Sequence, residues 1–137
     1  MIVGDRVNKI EADISATANY EGFKIDIKMG DVRKEAADRL LISYIYTVDY
    51  GALGKVSLYG VVVEGDPKVI PNLEDTWTKT KRLPPEYMEQ LVNVINFLGS
   101  AHGTIVSRVL NVRPPIIAPK LAVKQAEDAP KKAAPKK

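Results

Sequence analysis

At 137 residues, with 45% hydrophobic residues, the chain has the length of one domain and enough apolar side chains for a core. It has no cysteine, which excludes a disulfide framework, a thiolate zinc site and a cysteine nucleophile, and its single histidine, His102, would leave any metal site to carboxylates, which show no calcium-loop spacing. The net charge of +3 lies in the last sixteen residues, where five lysines meet two acids, so the body up to Leu121 is neutral and lacks the overall basic balance that phosphate binding favours.

The first fifteen residues carry charges throughout and no apolar h-region, so no signal peptide is expected. The apolar runs fall far short of the about 20 residues that span a bilayer. A cytosolic protein without membrane insertion is the expectation.

Residues 8–18 alternate, with Ile10, Ala12, Ile14, Ala16 and Ala18 on one face and Lys9, Glu11, Asp13 and Ser15 on the other, which predicts a half-buried strand. Residues 19–22 carry turn chemistry. Phe23, Ile25, Ile27 and Met29 alternate with Lys24, Asp26 and Lys28 in a second strand. Residues 30–38 are polar and read as a connection or one short helical turn.

The strongest strand signal spans residues 40–50. Leu40, Ile42, Tyr44, Tyr46, Val48 and Tyr50 form one face of a run dominated by aromatic and β-branched residues. Residues 51–54, glycine at both ends, read as a hairpin loop. The return strand, 55–64, is apolar on both faces: Val56, Leu58 and Val62 on one, Tyr59, Val61 and Val63 on the other. Such a strand is usually covered on both sides, by helix or by a second subunit.

A short helix is expected within residues 71–82, with Asn72 as its cap and Lys79, Lys81 and Arg82 toward its end, in keeping with the helix dipole. A long helix follows over residues 85–110, with proline at its first position. Its apolar stripe reads Tyr87/Met88, Leu91, Val94/Ile95, Leu98, His102, Ile105 and Val109. Gly99 and Gly103 lie off that stripe. Each mid-helix glycine costs about 1 kcal/mol of propensity, so the pair points to close packing, and both are candidates for an oligomer interface along with Val61 and Val63. Residues 113–119 carry three prolines and must be extended. Residues 122–137 are almost all Ala, Lys, Pro and acids, and are expected to be disordered.

No GxSxG, Walker, HExxH or GxGxxG pattern is present. His102 reads as a satisfied core histidine, since no carboxylate shares its helix face at the right spacing. The tyrosines can fill the core, stack bases or grip apolar peptide side chains, with core filling the favoured reading for Tyr44 and Tyr46. Acids rather than bases stand around them, which disfavours RNA. No enzymatic activity is expected and no cofactor.

The stretches YTVDYGALGKVSLYGVVVEGD and VINFLGSAHGTIVSRVLNVRPPIIAPKL, within the order strand, strand, long strand, glycine hairpin, long strand, helix, proline-bearing arm, resemble the export chaperone SecB and its small archaeal SecB-like relatives. The resemblance covers residues 8–121. It implies an α+β fold, a four-stranded antiparallel sheet with a short helix and a long C-terminal helix packed on it. It also implies a homo-oligomer, a dimer or tetramer, that holds unfolded or nascent polypeptides in apolar grooves without ATP. Tyr44, Tyr46, Tyr59, Ile116 and Ile117 are the candidate peptide contacts. Bacterial SecB is markedly acidic and its C-terminal region contacts the translocase motor; the neutral body and basic tail here depart from that pattern, so contact with the motor is not carried over. The tail, with Lys131, Lys132, Lys136 and Lys137, carries the alternative expectation of a ribosome- or RNA-associated protein. High charge content, loop prolines and the lack of cysteine also match thermophile proteins.

Overall fold

A computed structural model describes residues 1–15 and 17–116. Four strands and two helices follow in order: β1 (Ile2–Ile14), β2 (Lys24–Ala36), β3 (Arg39–Asp49), β4 (Gly54–Glu64), α1 (Ile70–Thr80) and α2 (Pro85–Leu110). The strands form one antiparallel sheet in the order β1-β4-β3-β2. β2, β3 and β4 are joined by tight hairpins, and β1 reaches the far edge through residues 15–23, a Greek-key arrangement. The expected α+β architecture is the one observed.

Period-two alternation sets the two faces of the sheet. Leu40, Ile42, Tyr44, Tyr46 and Val48 of β3, Tyr50 just past its end, and Val56, Leu58 and Val62 of β4 are all buried on one face. Both helices pack there: Ile70 and Leu73 of α1 and Leu91 and Ile95 of α2 are buried against it. The crossover is held at the sheet's end by Tyr20 and Phe23, whose rings lie 6.4 and 6.1 Å from that of Tyr50.

Four local expectations are corrected. The polar stretch after Met29 is not a connection; β2 continues to Ala36 with a bulge between Met29 and Val32, because β3 offers it a ladder partner through Arg39. β1 starts at Ile2, six residues early, since a bulge between Val7 and Lys9 conceals its alternation. Asn72 does not cap α1; the helix begins at Ile70 and Val69 takes the cap position. The stripe expected to bury α2 does not do so throughout: Ile105 and Val109 are 66% and 82% exposed. α2 itself spans the expected residues and ends at Asn111, which adopts the left-handed conformation of a helix C-terminus.

Candidate functional site

The buried face of α2 is Leu91, Ile95, Gly99, Gly103 and Ser107. The small residues are there because β3 presents large ones. A Cβ at Gly99 would stand 2.3 Å from the Tyr46 ring, and one at Gly103 would stand 2.8 Å from the Pro115 ring. The hydroxyls of the two tyrosines meet helix serines, Tyr46 at Ser100 and Tyr50 at Ser107, each 3.4 Å away. Gly99 and Gly103 are therefore used inside the protomer, a correction to their expected place at an oligomer interface. Tyr44 and Tyr46 are likewise corrected: at 1% and 0% exposure they fill the core and present nothing to a peptide.

The arm folds back along α2. The Val112 N–H donates to the Ser107 carbonyl at 3.0 Å, the Tyr50 hydroxyl donates to the Arg113 carbonyl, and the Ser100 hydroxyl donates to the Pro115 carbonyl at 3.0 Å. Pro115 is buried and Ile116, the next residue, is 55% exposed. Beside it lies a groove of about 530 Å³ between α2 and the edge strand β2, lined by Ile25, Asn93, Asn96, Phe97, Ser100, Ala101, Thr104 and Ile116. Phe97 is 74% exposed. With Ile105 and Val109 it forms an apolar stripe on the outward side of α2.

The opposite face of the sheet is uncovered by any described element. Leu41 and Ile45 of β3 and Tyr59, Val61 and Val63 of β4 are half-buried there, outside the core cluster. The edge strands frame them with charges. The Tyr59 hydroxyl donates to the Glu11 carboxylate at 2.5 Å, and the Lys9 ammonium lies 4.9 Å from the Tyr59 ring centre. That bond to Glu11, with a smaller contribution from burial, raises the Tyr59 phenol above its ordinary value. Val61, Val63 and Tyr59 thus share one open surface. Ile117 and Lys131, Lys132, Lys136 and Lys137 lie outside the described residues.

Two polar features were not visible in the sequence. His102 meets a carboxylate after all: its Nε2 is 3.3 Å from Asp5 of β1, ninety-seven residues away in the chain. Glu64 is fully buried at the end of β4. It accepts hydrogen bonds from the Tyr87 hydroxyl at 2.8 Å, the Asp66 N–H at 3.0 Å and the Met1 amino group. Burial pushes its carboxyl up, but these donors outweigh burial and hold it below the usual carboxylate range. Its even spacing with Val62 in β4 was the one available signal that it faces inward. No cluster of three metal-ligating side chains occurs among the described residues, and no described helix is long and apolar enough to cross a membrane.

Comparison with protein-family models, with curated proteins and with solved structures finds no match to this chain.

Proposed function

We propose that this protein is an ATP-independent holdase, a homo-oligomer that binds unfolded or nascent polypeptides on apolar surface. The supporting observation is that apolar side chains are left uncovered by the described elements on both sides of the fold: Phe97, Ile105, Val109 and Ile116 exposed on the helical side, and Leu41, Ile45, Val61 and Val63 half-buried on the sheet. Contiguous apolar surface of this kind marks sites of interaction. An unfolded segment offers apolar side chains together with unpaired peptide groups. The groove beside α2 has matching chemistry, since Ile25, Phe97 and Ala101 suit the former and the Asn93 and Asn96 amides suit the latter. A second copy would cover the sheet around Val61 and Val63.

The test is light scattering of a chemically unfolded client without ATP, with the full chain and with a chain ending at Leu121. Both are expected to suppress aggregation near stoichiometric ratio. No suppression at several-fold molar excess would defeat the reading, and salt-dependent RNA binding lost on truncation would transfer the function to the tail.

A further inference from the structure

The sheet face that no described element covers differs in charge from end to end. Residues opposite each other on antiparallel strands point to the same side of a sheet, so the strand registers place its charges. At the end where β2 turns into β3, Arg33 is opposite Leu41, Leu41 is opposite Val63, and Arg6 is opposite Val61. Arg39 stands at the same end, paired with Glu35 at 2.8 Å. At the end where β3 turns into β4, one row runs Asp13, Lys55, Asp49, Lys24, and the next holds Glu11 and Asp26 at its two edges. One end thus carries three arginines against one glutamate, and the other carries four acids against two lysines. Arg6 and Arg33 at the first end, and Asp13 and Asp26 at the second, make no ion pair among the described residues. We infer that this face binds a second copy of itself with the strands reversed end for end, the arginine end of one sheet over the acidic end of the other.

Two stacked sheets keep their strand lines within about 30° of each other, so two such faces can meet in only two ways related by a two-fold axis. With like ends together, Arg6, Arg33 and Arg39 would lie over their own copies, and like charges set against each other are strongly disfavoured. With the ends reversed, the arginines of each copy meet the acids of the other, and the two-fold axis makes the contact twice. In both copies the half-buried row of Leu41, Ile45, Tyr59, Val61 and Val63 supplies the apolar centre. Lys9 and Lys28 flank that centre on the outer strands, exposed, where their long stems keep the charge in water. An unfolded polypeptide carries no fixed charge pattern to match both ends, whereas a second copy always does. The inference rests on the homo-oligomer of the proposed function and makes no use of client binding.

Ala37 and Ala52 are exposed in the hairpins at opposite ends of β3, and the chain has no cysteine. Full-length Ala37→Cys and Ala52→Cys proteins are co-expressed and treated with a short bismaleimide, and the joined peptides are identified by mass spectrometry. Reversed stacking is expected to give links from position 37 to position 52 at least about tenfold more often than links between like positions. A second measurement reads the charges through the dimer dissociation constant. Arg6→Glu with Arg33→Glu, and separately Asp13→Lys with Asp26→Lys, should each weaken the dimer at least about tenfold, and mixing the two variants should restore it. Links between like positions, a charge-reversed chain as dimeric as the parent, or a parent that is monomeric at every concentration would each overturn the inference. No client enters either measurement, so the two readings fail separately. A reversed dimer that never suppresses aggregation refutes the holdase and leaves the interface intact. Suppression by a monomer, or by a dimer joined through like ends, does the reverse.

Discussion

Gly99 carries no side chain because the Tyr46 ring occupies the place where one would be. Gly99→Ala adds about 1 kcal/mol of helix propensity but forces a buried ring to move, an overpacking cost of about 1–3 kcal/mol. A net loss of up to about 2 kcal/mol is expected, read as a lower urea midpoint at unchanged slope. Tyr44 in β3 and Tyr50 just past its end divide by their hydroxyls. Tyr50 has partners in Ser107 and Arg113, whereas the Tyr44 hydroxyl is buried with none among the described residues. Burial, reinforced by the Asp5 charge, pushes the Tyr44 phenol up to about 12. Tyr44→Phe removes an orphaned polar atom and is expected to be neutral or slightly stabilising; Tyr50→Phe should cost about 1 kcal/mol. Thermal melts of the two variants, compared directly, check the contrast.

Glu64 links stability to pH with a defined sign. Its folded carboxyl is held below the unfolded value of about 4.3, so the stabilisation is complete above that value and is lost as pH falls through the lower, folded one. Tyr87→Phe takes a hydrogen bond from a buried carboxylate and should cost about 1.5–3 kcal/mol at pH 7. The gap between the variant and the parent should narrow in acid. A gap that stays constant from pH 7 to pH 3 would show that the Tyr87 contact does not depend on the charge of Glu64.

At the scale of the element, α2 is a helix with two apolar sides. Its sheet-facing side is lined by small residues between Leu91 and Ser107, and its outward side presents Phe97, Ile105 and Val109. Periodicity in the sequence reveals a broad apolar band, and the ordinary reading places its middle against the core. The helix is instead rotated so that the glycines meet the sheet, because only they can lie over Tyr46. Phe97→Ser and Ile105→Ser are therefore expected to change stability by less than about 0.5 kcal/mol while clearly lowering apolar dye binding and aggregation suppression. A large loss of stability in either would place that side chain in the core. β2 makes the same point for strands: polar residues after Met29 conceal a strand that exists because β3 runs beside it.

At the scale of the whole molecule, one layer of helices covers one face of a four-stranded sheet, and no described element covers the other. That face is apolar at its centre and charged at its edges, which is what the proposed homo-oligomer would require of a subunit interface. Light scattering with size-exclusion chromatography is expected to give the mass of a dimer or tetramer. Val61→Asp combined with Val63→Asp should shift it to the monomer with the fold retained, since neither valine belongs to the core cluster. A parent protein that runs as a monomer at every concentration would remove the sheet face from the assembly.

The sequence by itself determined the order of strands and helices, the span of α2, the inward face of β3 and the absence of cysteine chemistry. These follow from short-range regularities: alternation along a strand, the 3.6-residue period, proline at a helix start and glycine at a hairpin. The tertiary structure alone decided which apolar surfaces are covered. Val61 and Val62 are adjacent and equally apolar, yet one lies under helices and the other does not; Gly99 and Phe97 are two residues apart and face opposite ways. Each outcome depends on elements distant in the chain, such as Tyr46 against Gly99, Asp5 against His102 and Tyr87 against Glu64. Local pattern shows that a side chain can be buried, but burial is completed by whatever distant surface packs against it.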